Sequence, residues 1–425
     1  MKNIKIFLAF TLFPFFAKAA FVPTIFNNMV YEPEIKTVML TQSGSYERFP
    51  AIDLNSTQQL QLLFDELKPE NDNYQYTYIH CSANWELSPL RPNEYLNGIF
   101  FENINNYSFS TATFQIYTHY QIDFPNADMK PKLSGNYILK VYRNFDENDV
   151  VLTRRFMVVD DKFIIKASAN SATNPALRFT KHEIDFSIDM GANVVPNPMI
   201  DVKTVVMQNL RWDNCITDLR PRMINGKILD FNYEQGNLFD AGNEFRYFDT
   251  RSLRFLSFNV RRKYIENNVK HAVLYNDATK ANLPYLQTID FNGKRVVDNR
   301  DNGIKDGGGI EGDYASIHFT FVSDKLDKDV YILGELSDWQ MKDEFKMEWN
   351  ANFNQYEATL VLKQAYYNYY FVTPNAEDTT KVELNNTEGN HMNTENDYHI
   401  MVYNKNPFMQ YDELLGTVHC NSAKR

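Results

Sequence analysis

Strict alternation of apolar and polar residues recurs along this chain, and helical spacing never persists beyond a turn or two. Residues two apart share one face of a strand, whereas a helix needs apolar positions three and four apart. Leu60, Leu62 and Phe64 alternate with Gln59, Gln61 and Asp65, predicting a half-buried strand over residues 58–67 with Asp65 on its wet face. Phe114, Ile116, Thr118 and Tyr120 alternate in the same way with Gln115, Tyr117, His119 and Gln121. After the turn Ser134-Gly135-Asn136, Tyr137, Leu139 and Val141 face inward, residues 146–149 make an acidic hairpin turn, and residues 150–159 form the returning strand. Ile184, Phe186, Ile188 and Met190 alternate with Glu183, Asp185, Ser187 and Asp189, so that one face is buried and one is wet.

Further strands are expected at Ile200, Val202, Thr204 and Val206, at residues 254–260, at Ile317, Phe319 and Phe321, and at residues 330–333, 356–362 and 366–372. The aromatic fraction of 15%, with 26 Tyr and 32 Phe, supplies cores for such strands. The expected fold class is all-β: tandem immunoglobulin-like β-sandwich domains. At 425 residues the chain calls for more than one of them. Asp160-Asp161-Lys162 and the Asp-, Asn- and Gly-rich residues 297–313, with Gly307-Gly308-Gly309, read as boundaries, the latter as an exposed linker. The expected division is an N-terminal sandwich over 20–160, a middle β-rich domain over 161–310, a third sandwich over 311–406 and a tail over 407–425.

Residues 1–19 read as a secretory signal peptide, with Lys2 and Lys5, an apolar run over residues 6–16 and Ala17-Lys18-Ala19 as the cleavage site. No cysteine follows that site, against a lipid anchor, and no later run is long and apolar enough to span a bilayer. The net charge of −11 speaks against nucleic acid or an anionic membrane as main partner, and Arg261-Arg262-Lys263 is a short basic run. Cys81, Cys215 and Cys420 are odd in number and far apart, unlike a disulfide scaffold.

Residues 75–122 crowd His80, Cys81 and Glu86 together and so invite a nucleophile-and-base reading. Neighbouring residues on a strand point to opposite faces, so His80 and Cys81 cannot cooperate, and both they and Trp85 are expected to be structural. No H-E-x-x-H or C-x-x-C spacing occurs, and His391 and His399 stand alone. Asp298-Asn299-Arg300-Asp301-Asn302-Gly303 is a poor calcium loop, with Arg300 at the third position and Gly309 where a bidentate carboxylate belongs. The glycine run lacks the Lys-Ser/Thr of a phosphate loop. No catalytic, metal or cofactor-binding residue is assigned, and no cofactor is expected.

Two resemblances rest on motifs. Leu333-Gly334-Glu335-Leu336-Ser337-Asp338-Trp339, with residues 366–372 after it, resembles the glycogen-binding type of immunoglobulin-like (early-set) module; Trp339 matches its first sugar-stacking tryptophan, but no tryptophan comes after Trp349 to match the second. Trp339 is therefore expected in the core, and a periplasmic or secreted carbohydrate-binding accessory is the alternative function. His80-Cys81-Ser82-Ala83-Asn84-Trp85 with Ser88-Pro89-Leu90, Glu94-Tyr95-Leu96-Asn97-Gly98, Tyr117-Thr118-His119-Tyr120, Ser134-Gly135-Asn136-Tyr137 and Val151-Leu152-Thr153-Arg154-Arg155-Phe156 resemble, in that order, the plug proteins of the type IX secretion system. That resemblance implies a non-enzymatic periplasmic protein, held at the outer membrane through an outer-membrane translocon barrel whose periplasmic opening it seals. The charge balance leaves no nucleic acid among the expected partners and the lack of a long apolar run no direct membrane insertion, and the resemblance names no interface residue.

Overall fold

The computed structural model describes residues 26–217, 219–301 and 309–423. The expected signal peptide lies outside them. The chain is all-β, its short helices being single turns such as Pro92–Tyr95 and Pro198–Asp201.

The first unit is two sheets face to face. One has the order Met29–Val30, Val150–Val159, Gly135–Arg143, Tyr74–Cys81, Glu102–Asn103, with Ala51–Asp53 parallel to Val150–Val159. The other runs Ile35–Gln42, Leu60–Glu66, Thr118–Phe124, Tyr107–Phe109. Leu60, Leu62, Phe64, Tyr76, Tyr78, Tyr137, Leu139 and Phe156 fill the space between them. The expected inward set Tyr137, Leu139 and Val141 is fully buried, yet Asn136, Ile138 and Lys140 between them are buried too. The reason is a second core on the sheet's outer face, where Cys81, Ile138, Met157 and Val159 meet Val205, Met207, Met401 and Tyr403.

Those last four come from the second unit, whose inner sheet has the order Arg211–Ile216, Val202–Gln208, Asp397–Lys405, Asp412–Asn421. It too is covered on both sides. Val202, Val206, Ile400 and Val402 point away, toward Ile184, Phe186 and Ile188 of the sheet Ile164–Ser171, Lys181–Asp189, Ile228–Asp230, Met223–Asn225. Four sheets are thus stacked with three apolar layers between them, each about 10 Å thick.

The third unit is an eleven-stranded sheet whose main path runs from Arg246–Asp249 through Ala365–Pro374, Val330–Leu333, Lys346–Asn350, Gln355–Lys363, Tyr314–Val322 and Val269–Leu274 to Val260–Glu266. Arg246–Asp249 and Tyr314–Val322 stand five strands apart in that order, about 24 Å if the sheet were flat. Phe248 nevertheless meets Phe319 ring to ring at 5.4 Å, so the sheet folds over its own core.

Strand pairing crosses the expected boundaries at 310 and 406. Arg246–Asp249, Val260–Glu266, Val269–Leu274 and Arg295–Val297 lie before 310 but pair into the third unit's sheet. Asp397–Lys405, assigned to the third sandwich, pairs along its length with Val202–Gln208, and most of the expected tail is the strand Asp412–Asn421 beside it. Residues 161–240 supply only part of a sandwich, and the chain returns from the third unit to complete it. Around the expected linker, Asn299 and Asp313 are buried and Asp301 accepts from Ser252 and Leu253, so its flanks belong to the third unit's framework. Three expected strands also begin later than the alternation suggests. Thr118–Phe124 leaves Phe114 and Ile116 exposed; Val202–Gln208 leaves Ile200 in a helical turn; and residues 254–259 are a loop leading into Val260–Glu266.

Removing residues 407–425 is expected to leave Val202–Gln208 and Asp397–Lys405 without their closing strand and to abolish the cooperative thermal transition of the full chain. A circular-dichroism melt of the truncated protein at the full-length midpoint would contradict this.

Candidate functional site at the joints between the units

In the crowded stretch at residues 75–122, His80 and Cys81 lie on opposite faces of one strand. His80 turns toward Tyr95 and Tyr137 in the first core, at ring distances of 5.7 and 4.9 Å, while Cys81 lies in the second core on the opposite face. Burial pushes the His80 imidazole down to about 4 and the Cys81 thiol up to about 12, so at neutral pH the imidazole is uncharged and only weakly basic and the thiol keeps its proton. Cys215 and Cys420 are free thiols as well. Gly135 (φ +139°) packs against the imidazole; a Cβ there would lie 2.7 Å from His80 Nε2 and 3.1 Å from the Asp412 carbonyl, which restricts the position to glycine.

The segment from Ser82 to Trp85, just beyond this strand, is a fitting for the second unit. Asn136 Nδ2 donates to the carbonyls of Ser82 (3.0 Å) and Ala83 (3.3 Å), and Tyr403 from the second unit donates to Asn136 Oδ1 at 2.8 Å. Ala83 N–H donates to buried Asp412 at 2.9 Å, and the same carboxylate takes the Lys203 ammonium at 2.9 and 3.0 Å. Trp85, in a left-handed conformation (φ 63°), sets its ring edge-on to Trp212 at 5.1 Å. The Arg155 guanidinium lies 4.5 Å from one ring centre and 4.8 Å from the other and donates to the Phe26 carbonyl at 2.7 and 3.0 Å. Burial pushes this arginine down to about 10, and its charge is held by two rings and a carbonyl rather than by water.

A different charge set joins the first unit to the third. Asp65, 1% exposed, accepts from Lys363 Nζ at 2.7 Å, Tyr314 OH at 2.6 Å and His119 Nδ1 at 2.6 Å. Burial alone would raise the Asp65 carboxyl; Lys363 and His119 outweigh it and hold the carboxyl below its ordinary value. Lys363 lies 4.2 Å over the Tyr117 ring, and Tyr117 OH donates to the Gly312 carbonyl at 2.7 Å. Nearby, buried Arg154 reaches Asp338 at 3.3 Å, and Arg295 Nη2 donates to the Val38 carbonyl at 2.7 Å. Asp313 accepts from the backbone N–H groups of Phe114 (2.8 Å) and Gln115 (3.1 Å).

The motifs singled out in the sequence therefore meet at the joints: Ser82 to Trp85, Asn136 and Arg155 face the second unit, and Tyr117, His119 and Arg154 face the third. Asp65, Lys363, Lys203 and Asp412 complete the joints and were not singled out. Asp65 alternates with Leu60, Leu62 and Phe64 as a solvent-facing residue would, so pattern assigns it to water. Trp339, expected in the core, is half-buried, with its ring packed on Gly293, edge-on to Phe245 at 5.9 Å and 6.0 Å from the Arg211 guanidinium. Among the described residues, no group of three or more His, Cys, Asp or Glu is placed to hold a metal ion.

These features define a multi-sandwich protein whose distinctive polar residues serve its own assembly. The family described as "Type 9 secretion system plug protein 1st domain" matches residues 35–160. The crystal structure of a hypothetical protein from Parabacteroides merdae superposes with a TM-score of 0.90 at 30% identity, covering 94% of this chain and 100% of that one. Comparison with curated proteins returns no match. Residues 35–160 thus belong to the type IX secretion plug family, as its first domain.

Two stability measurements test the joints. Asp65→Asn leaves Lys363 buried without its counter-charge and is expected to cost about 3–5 kcal/mol, read from urea denaturation, while Asp65→Asn with Lys363→Met restores much of the loss; a single variant as stable as the parent would refute the pair's role. For His80, the unfolded chain takes up a proton below about pH 6.5 and the folded chain only near its lowered value of about 4. Its contribution to stability is complete above about 6.5 and declines as pH falls toward 4, by about 3 kcal/mol. His80→Gln is expected to flatten the urea midpoint against pH over this window, and an unchanged slope would contradict the assignment.

Proposed function

We propose that the protein serves type IX secretion in a non-catalytic, structural part, binding the periplasmic opening of the large outer-membrane barrel through which this system exports folded cargo and sealing that opening when no cargo is present. The match of its first unit to the plug family supports this reading. A barrel wide enough for folded protein encloses an aqueous pore that would leak small solutes when idle. Sealing it takes a body that keeps its shape under load. The structural observation that supports this reading is the joining of the units, among the described residues, through a shared apolar layer and buried charge pairs. Bulk and stiffness, rather than reactive groups, are what occlusion needs, and sealing from that side requires a periplasmic location.

The carbohydrate-binding alternative draws no support from Trp339, whose ring is engaged by Gly293, Phe245 and Arg211.

Affinity purification of the tagged protein from outer membranes is expected to recover a very large barrel protein, and deletion of the gene is expected to make cells more permeable to small solutes. Recovery of no barrel, with a deletion strain as tight as its parent, would overturn the proposal.

A further inference from the structure

The loop between Arg246–Asp249 and Val260–Glu266 turns three large apolar side chains to solvent: Phe255, Leu256 and Phe258 are 73, 65 and 70% exposed. Its backbone is fixed from several sides. The Lys263 ammonium reaches back from the next strand and donates to the Ser252 carbonyl (2.6 Å), the Phe255 carbonyl and Ser257 Oγ (3.1 Å). Asp301 accepts from Ser252 Oγ at 2.5 Å and from Leu253 N–H at 2.8 Å, and Asn259 Nδ2 donates to the Tyr247 carbonyl at 2.7 Å. A polar framework thus holds two phenylalanines and a leucine outward, where water gives them no compensation.

The charge around this tip runs against that of the whole molecule. Arg254, Arg261 and Arg262 are exposed on either side of it, and Arg261-Arg262-Lys263 is the one run of three consecutive cations in a chain of net charge −11. The carboxylates nearby are engaged: Asp249 by Arg251 at 2.6 Å, Asp298 by Arg300 at 3.3 Å, and Asp301 by the loop itself. Apolar side chains at a fixed tip, with guanidinium groups behind them, match the boundary between headgroups and acyl chains. The rings and the leucine enter the apolar side, and the arginines meet lipid phosphates.

We propose that residues 254–262 form a peripheral docking loop for an anionic phospholipid surface, touching the leaflet without spanning it. This goes beyond the sealing of a translocon and rests on the loop's own geometry and charge. It also runs against the expectation drawn from net charge, because docking is governed by the local cations within a Debye length and not by the molecular sum.

The test is flotation of the mature full-length protein with vesicles of phosphatidylcholine, alone or mixed with phosphatidylglycerol. Binding is expected on the anionic vesicles and is expected to weaken with salt. Phe255→Ser/Leu256→Ser/Phe258→Ser and Arg261→Gln/Arg262→Gln should each weaken it about tenfold or more. All five side chains are exposed, and melts at the parental midpoint confirm that the variants fold. No binding of the parent to anionic vesicles, or equal binding by the variants, overturns the proposal. So does a parent that fails to float while the triple variant loses recovery of an outer-membrane barrel, which would make the loop a protein contact.

Discussion

A β-sheet covered on both faces has no side chain to spare, and the sheet of Tyr74–Cys81, Gly135–Arg143 and Val150–Val159 is in that position. Tyr137 and Leu139 serve one core, and Ile138 between them serves another. A slip of one residue would exchange the two sets, sending tyrosines into a layer shaped for Ile138 and Met157. Because both cores hang on one backbone, they share a register, and close packing transmits any displacement of one to the other. The inner sheet of the second unit repeats the arrangement with Val206 and Met207.

Apolar layers attract without fixing direction, so they leave open how the units are rotated against one another. The buried charges supply that choice. Asp65 with Lys363 and Arg154 with Asp338 join the first unit to the third, and Asp412, paired with Lys203 inside the second unit, accepts from the Ala83 N–H of the first. A buried ion separated from its partner is strongly unfavourable, so relative placements that miss these pairs are penalised even where apolar contact is preserved.

Alternation marked the strands that have one wet face or a single dominant apolar set, such as Leu60–Glu66, Lys181–Asp189 and Tyr314–Val322. It misled where burial is polar. Asp65 and Glu183 sit at positions that pattern assigns to solvent, yet they are 1 and 2% exposed because a lysine or a threonine from elsewhere meets them. Phe114 and Ile116 failed in the other direction, continuing an apolar alternation beyond the strand it belongs to. The pairing of Asp397–Lys405 with Val202–Gln208 spans almost two hundred residues and is written in no local period, so boundaries drawn in chain order put Asp397–Lys405 in the third sandwich, away from its partner. The ordered motifs of the first unit were legible as a family signature, but their role at the joints depends on Asp65, Lys203, Lys363 and Asp412, which no motif contains.

The return of the chain to its second unit has a consequence in time. A polypeptide delivered N-terminus first presents the first unit complete while the second still lacks half of its inner sheet. Until the last strands arrive, Ile138, Met157, Val205 and Met207 have only part of their packing partners, so an incomplete chain displays an open apolar seam. The seam closes only when Asp397–Lys405 and Asp412–Asn421 pair onto Val202–Gln208. Its burial is thus acquired late in synthesis, by two units together rather than one at a time.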